Sequence, residues 1–393
     1  MLQESHCRVL TDIRSQDAGE LKAQFEQWGL PAYRVDQLLT WLYPHRVTSW
    51  EQMSNLPKAL RARLAEHYAL NNLFLVRKQG SRDTTRKYLW RLVDGAMIES
   101  VLIPANPGLY GEASDRHTLC VSTQVGCAYG CRFCASGLDG WKRNLGVEEI
   151  VGQVLAVERE EETVDEADAA AGSAGIVESA PVAVALAERV VSNLVIMGMG
   201  EPLANYQNLL KALKILNASW GGGIGARKIT ISTSGLVPQI RQLADEPHQF
   251  RLAISLHGAT DEVRNRIMPV NRKYPLKDLE EACAYYRQKQ DRMMTFEYTL
   301  IEGVNDALDQ VPALARLARR LRAKVNLIPY NRVEGLPWTR PSDSAQEAFL
   351  AALEKQGVSC TLRREKGHDI DAACGQLRLR TERESRDAGE GQD

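Results

Sequence analysis

Cys127, Cys131 and Cys134 form a C-x3-C-x2-C run on a short stretch that follows an apolar segment. Three thiols so close in the chain can converge on one metal centre, and soft thiolates select zinc, copper(I) or an iron–sulfur cluster. The number of ligands discriminates among these. A structural zinc site is normally closed by a fourth Cys or His, whereas a cubane held by three thiolates leaves one iron open to a non-protein ligand. Spacing alone leaves a zinc loop, or buried unpaired thiols, as alternatives. Phe133, between two of the thiols, is placed to shield a cluster from water.

Other residues could act around such a centre. In Met197-Gly-Met-Gly-Glu-Pro, Gly198 and Gly200 would let backbone approach a ligand while Glu201 presents a carboxylate, although the same run also suits a simple turn at a strand end. Ser232, Ser255, His257 and Asn331 stand at or near the ends of later apolar segments, where polar side chains would face one cavity. Cys374 has small neighbours and no apolar periodicity, which makes its thiol a candidate nucleophile. Cys120 is either a strand residue or a second redox thiol. Glu99 sits in the run Met97-Ile-Glu-Ser-Val-Leu-Ile-Pro, and the pattern favours an outward-facing strand residue over a positioned acid or base. Cys283 and Cys360 share the periodicity of core residues, and Cys7 lies in a frayed terminus.

An α/β fold is needed to bring these positions together. Strands are predicted at 118–123, 193–197, 228–233, 250–257, 295–301 and 325–329, with helices at 147–158, 207–218, 237–243, 276–288 and 311–322 between them. Near-continuous apolar strands alternating with helices indicate a parallel sheet, here a partial (β/α)6 barrel over residues 105–380. Chemistry in such a fold gathers at the carboxyl ends of the strands, where the residues above fall. Residues 71–104 change to a period near two and read as a short β-rich connector. Residues 1–70 read as a helical accessory domain, with Asp17 and Glu20 at capping-box spacing. Its Arg34, Lys58, Arg61 and Arg63 could grip RNA phosphates, although a solvated helix face is the commoner use. Residues 158–189 are acidic, then rich in Ala and Gly, and are expected to be a flexible insertion; 381–393 are expected to be a disordered tail.

The 393 residues, 44% of them hydrophobic, can bury a sizeable core. No apolar run is long enough to span a bilayer and the first residues lack the pattern of a signal peptide, so a cytoplasmic protein with no membrane partner is expected. Thiols stay reduced there, and a cysteine cluster is a metal or catalytic device. The net charge of −1 is unevenly spread. Residues 158–192 carry −7 and 381–393 carry −3, which leaves +9 on the remainder, a balance compatible with a polyanionic partner.

The C-x3-C-x2-C loop is the spacing of the radical S-adenosylmethionine (SAM) superfamily. Thr118-Leu-Cys-Val-Ser, that loop followed by Gly140-Trp-Lys-Arg-Asn-Leu, Met197-Gly-Met-Gly-Glu-Pro, Ser232-Thr-Ser-Gly, Ser255-Leu-His, Asn326-Leu-Ile-Pro-Tyr-Asn and Ala372-Ala-Cys-Gly-Gln-Leu together resemble the RlmN/Cfr family of RNA methyltransferases, from about residue 17 to 379. The resemblance implies a 4Fe–4S cluster on Cys127, Cys131 and Cys134, and SAM contacts at Gly200, Glu201, Ser232, Ser255, Leu256, His257 and Asn331. It implies that Cys374 carries the methyl group, that Cys120 resolves the adduct by forming a disulfide with it, and that Glu99 accepts a proton. The acidic insertion departs from the compact family pattern.

Adenine C2 lies between two ring nitrogens and is too electron-poor to attack the methyl of SAM, whereas a thiolate can. Two SAM molecules per turnover are therefore implied, one to methylate Cys374 and one to furnish the radical that activates that methyl group. The implied substrates are adenine C2 in 23S rRNA, at the peptidyl-transferase centre, and in tRNA, just 3′ of the anticodon. An electron donor such as flavodoxin or ferredoxin with its reductase, and a monomer, are also implied. The alternatives are C8 methylation, as in Cfr, and a non-catalytic iron–sulfur or zinc protein that binds RNA.

Overall fold

The computed structural model describes residues 10–81, 84–104, 116–172, 189–363 and 375–390, the side chains of 163–172 and 385–390 excepted. The chain opens with β1 (Thr11–Asp12), α1 (Ala18–Gln27), α2 (Tyr33–Leu42) and α3 (Lys58–His67), and closes this module with β2 (Tyr68–Ala69), which pairs in parallel with β1. The expected capping box starts α1: Asp17 accepts the Glu20 amide at 2.9 Å, and Glu20 accepts the Asp17 amide at 2.8 Å. Leu21, Phe25, Val35, Leu38, Leu39, Leu42, Leu60 and Leu64 recur at helical spacing and are buried.

Three antiparallel strands follow, β3 (Phe74–Gly80), β4 (Arg86–Arg91) and β5 (Met97–Pro104). They are not a separate connector. β5 pairs antiparallel with β6 (His117–Cys120), so the three extend one ten-stranded sheet. Beyond β6 come the hairpin β7 (Gln124–Gly126) and β8 (Trp141–Asn144), α4 (Val147–Gly172), β9 (Asn193–Ile196), α5 (Tyr206–Asn217), β10 (Ile229–Thr233), α6 (Val237–Ala244) and β11 (Arg251–Ser255). The chain continues through α7 (Asp261–Ile267), α8 (Leu276–Gln290), β12 (Thr295–Leu300), α9 (Val311–Leu321), β13 (Lys324–Pro329), α10 (Asp343–Lys355), β14 (Cys360–Leu362) and α11 (Gln376–Glu390). From β6 through β9, β10, β11, β12 and β13 to β14 every neighbouring pair is parallel, as the alternation of apolar strands and helices predicts. Strand β12 shows how the layers form. Phe296, Tyr298 and Leu300 take one face, Tyr298 stacking on Phe349 of α10, while Glu297 and Thr299 take the other and line an internal cavity.

Two boundaries differ from the sequence reading. Helix α4 runs past position 158, and Glu158 and Glu161 are buried rather than solvating an insertion. Glu158 lies 3.3 Å from Arg46 of the helical module and accepts the amides of Val190 and Val191 at 2.9 and 3.0 Å. Glu162 also pairs with Arg46, and Glu161 meets Lys78 at 3.0 Å, Arg86 and the Tyr88 hydroxyl. The acids are neutralised by groups remote in sequence, so local composition misjudged them. Likewise α11 crosses the expected start of the tail at 381, with Arg378 and Thr381 buried and Arg378 ion-paired to Asp139 at 3.2 Å. The remainder of the expected insertion, 173–188, and of the tail, 391–393, lies outside the described residues, as does Cys7. Among the described residues no helix is long and apolar enough to cross a membrane.

Candidate cofactor and active site

A cavity of about 380 Å³ opens at the carboxyl ends of the parallel strands. Cys120, Cys127, Cys131, Cys134, Gly200, Glu201, Ser232, Ser255, His257 and Asn331 all line it. Leu256 does not: its side chain is in the core. Glu99 is not a lining residue either, and Cys374 lies outside the described residues.

The cysteine loop is held at both ends. Gly126 has φ +74° and lies so close to Gly140 that an added Cβ would fall 1.9 Å from the Gly140 oxygen, while the Cys127 amide donates to that same oxygen at 3.0 Å. Further along, the Arg132 amide donates to Ile267 O at 2.9 Å, and Trp338 Nε1 donates to Arg132 O at 2.7 Å. Burial pushes the Cys127 thiol up to about 12 and Cys131 well above the ordinary range, with the neighbouring thiols adding repulsion. A bound cationic centre reverses that balance, because it stabilises thiolates. Among the described residues no three His, Cys, Asp or Glu side chains converge closely enough to share a single metal ion. Thiolates on separate irons of a cubane need not converge on one atom, so a multi-iron cluster fits this rim of soft donors.

The Met197–Pro202 turn packs against the end of β6. An added Cβ on Gly198 would sit 2.7 Å from the Ser122 amide, and one on Gly200, at φ +103°, would sit 2.5 Å from Gln124 Cβ. The glycines thus serve close approach of two parts of the chain as well as an open cavity wall. Glu201 accepts the Leu203 amide at 3.1 Å and the Ser234 amide at 2.7 Å. Burial raises its carboxyl above the usual range, and a cationic ligand group beside it would offset that desolvation.

Ser232 and Ser255 place their hydroxyls 3.3 Å apart on β10 and β11. His257 has φ +51°, a conformation few side chains adopt, and its carbonyl accepts from Asn305 Nδ2 at 2.7 Å. His257 Nδ1 accepts the Thr299 amide at 3.0 Å, which places the ring proton on Nε2, and the ring meets Phe133 edge-on at 4.8 Å. Burial, then the charge of Arg264, lowers this histidine to about 3.

Glu99 is buried, against the outward-facing reading. Its carboxylate lies 2.9 Å from Lys87 Nζ and accepts the amides of Gly375 at 2.7 Å and Arg378 at 2.6 Å, at the N-terminus of α11. The outward reading failed because the face of β5 that looked free is covered by α11 and by Lys87, itself fully buried. Val101, two residues along β5 and on the same face as Glu99, pairs in register with Cys120. Gly375, which follows Cys374 in sequence, has φ +87°, and a Cβ there would sit 3.0 Å from the Ser136 amide just beyond the cysteine loop.

Sequence reasoning missed Arg264. Fully buried, it donates from Nε to Leu256 O at 3.1 Å and from Nη1 to Asn271 Oδ1 at 2.7 Å, and reaches Ser255 O at 3.4 Å and Ser234 O. One guanidinium so fixes the turns after β10 and β11. An arginine in a short charged helical run carries no sequence signal for this.

A largely parallel sheet with a three-thiol loop and a GEP turn at its carboxyl edge defines a radical SAM enzyme, and residues 169–318 match the Radical SAM superfamily. Residues 11–70 match the ribosomal RNA large subunit methyltransferase N-terminal domain. A crystal structure of a radical SAM methyltransferase from Sphaerobacter thermophilus superposes with a TM-score of 0.82 at 41% identity, covering 93% of this chain and 98% of that one. A probable dual-specificity RNA methyltransferase RlmN 3 from Opitutus terrae is 53% identical over 365 residues, 93% of each chain. One named probable dual-specificity RNA methyltransferase RlmN from Akkermansia muciniphila is 49% identical, over 95% of this chain and 96% of its own. The chain belongs to the RlmN family of radical SAM methyltransferases. Enzymes of this family use a 4Fe–4S cluster and SAM.

Proposed function

We propose that the protein methylates C2 of adenine in 23S rRNA, at the peptidyl-transferase centre, and in tRNA, at the adenine 3′ of the anticodon. The observation that carries this reading is the buried Glu99 carboxylate, bound to the amide of the residue after Cys374 and lying on the same strand face as the neighbour of Cys120. An acid and two cysteines are the groups a methyl-cysteine route requires.

Cys127, Cys131 and Cys134 would hold the cluster, which when bound supplies the electron that cleaves SAM and so activates the methyl group. Glu201 faces the SAM ammonium, and Ser232, Ser255, His257 Nε2 and Asn331 bind the rest of the molecule. Leu256 contributes through its backbone. The Cys374 thiolate takes the first methyl group, and the SAM-derived radical removes one hydrogen from it, so that its carbon bonds to C2. The adduct would give up its unpaired electron to the oxidised cluster and its C2 proton to Glu99. Cys120 then attacks the Cys374 sulfur, breaking its bond to the methylene carbon, which takes up a proton to become the methyl group as the RNA leaves and a disulfide remains. The protein acts as a cytoplasmic monomer, and an electron donor such as flavodoxin or ferredoxin with its reductase supplies the electrons that reduce the cluster, while two further electrons from a reductant restore the thiols before the next cycle. Exposed Lys58 and Arg63, with Arg34 and Arg61, give the helical module a basic face for RNA phosphates.

Mass spectrometry of nucleosides from 23S rRNA and tRNA, treated with the reconstituted, reduced protein, tests this. The expected product is 2-methyladenosine in both. 8-Methyladenosine, or no methylated adenosine, refutes the assignment.

A further inference from the structure

Glu297 enters the cavity from the middle of β12, and nothing in the route above uses it. It is 5% exposed. Oε1 accepts from Asn326 Nδ2 at 3.0 Å, whereas Oε2 is buried and, among the described residues, takes no hydrogen bond, with Arg363 of the same cavity lining acting on it through its charge. The residue is also tied to the turn that binds SAM. Its carbonyl accepts the amides of Leu256 at 3.0 Å and His257 at 3.3 Å, and it pairs in register with Ser255. A polar row therefore crosses the sheet from Ser232 through Ser255 to Glu297 and Asn326.

A buried carboxylate oxygen without a donor is costly and rare, and one that faces a ligand cavity is completed by the ligand. Glu201, on the far side of Ser232, is the group for the SAM ammonium. The remaining donors of SAM are its two ribose hydroxyls and the adenine 6-amino group; beside two serine hydroxyls, which can donate to or accept from another hydroxyl, the ribose hydroxyls are the match. Resting on the reading of this cavity as the SAM site, we propose that Glu297 Oε2 accepts a hydrogen bond from a ribose hydroxyl of SAM. Glu297 is then a SAM-binding residue that reads the ribose, with Asn326 orienting its carboxylate.

The test is equilibrium binding, by calorimetry on reconstituted protein, of SAM and of its 2′-deoxy and 3′-deoxy analogues to wild type, Glu297→Gln and Glu297→Ala. Iron and sulfide content verifies each preparation. One deoxy analogue should bind wild type about tenfold or more weakly than SAM, the range for a hydrogen bond to a charged group. Glu297→Ala should lose a similar factor for SAM and little further for that analogue, and Glu297→Gln, whose amide oxygen still accepts, should lose less. The inference is overturned if wild type binds both analogues as well as SAM, which needs no variant to fold. It is also overturned if the two losses multiply independently, or if Glu297→Ala binds SAM within about twofold of wild type, including the case where it instead loses affinity for RNA. A reconstituted wild type that binds no SAM at all overturns the assignment of the cavity together with this inference.

Discussion

Arg264→Met removes a fully buried guanidinium and takes a donor from Ser255 O, Ser234 O and Asn271 Oδ1, and from Leu256 O, which keeps the Gly258 amide at 2.7 Å. Methionine matches much of the length but donates nothing. Each buried acceptor left without a partner costs about 1–3 kcal/mol. Against this stands the relief of returning a desolvated cation to water, since burial already lowers this arginine to about 10. The net loss is about 3–5 kcal/mol, the range for removing one member of a buried charged cluster. Arg264→Lys keeps the charge but offers a single donor point in place of a planar fork, and cannot serve carbonyls that follow two different strands. Urea unfolding gives the stability, and equilibrium binding gives SAM affinity. Both variants should unfold at lower urea, with Arg264→Lys the milder, and both should bind SAM about tenfold more weakly because Ser255 and His257 lose their fixed backbone. Arg264→Lys with wild-type urea midpoint and wild-type SAM affinity would refute the claim that the fork organises these turns.

Below about pH 6.5 the unfolded chain protonates His257 while the folded protein, with this group lowered to about 3, does not. Stability is therefore lost as pH falls from about 6.5 towards 3, by about 1.4 kcal/mol per unit at most, and His257→Gln should flatten that slope between pH 7 and 5 in urea titrations; an unchanged slope would contradict a neutral, buried ring. If Cys120 only resolves the adduct, Cys120→Ala should leave protein covalently joined to labelled RNA on denaturing gels, and the cross-link should vanish when Cys374→Ala is added. Normal turnover by Cys120→Ala without a cross-link would remove the disulfide step from the scheme.

What the sequence revealed was set by how locally each feature is encoded. The cysteine loop, the GEP turn and the capping box of Asp17 and Glu20 depend on spacing within a few residues, and strand-helix alternation on periodicity over tens of residues. The placement of the cysteine loop and the GEP turn around one cavity at the carboxyl edge of the sheet followed from the fold class alone. Glu99 was misread because what covers it, Lys87 and the start of α11, comes from other parts of the chain. Glu158 and Glu161 looked like a solvated acidic run for the same reason: their partners Arg46, Lys78 and Arg86 are strands and helices away. Arg264 and Glu297 had no local mark at all. Their importance lies in which carbonyls one reaches and which oxygen of the other stays free.

The contact of Arg46 with Glu158 and Glu162 joins the helical module to a helix of the main sheet through charges that are largely out of water. Mobile ions act over about 8 Å of solvent at physiological salt, but they scarcely enter such a buried seam. The grip of an exposed basic face on RNA weakens steeply with salt, since it gains from the release of counterions. The observed Arg46 contact and the RNA contact proposed for the same module should thus respond differently to one variable. If RNA grips that module as proposed, potassium chloride that strips the RNA away should leave the module docked, and a salt series should vary adhesion without altering the span from that grip to the cavity.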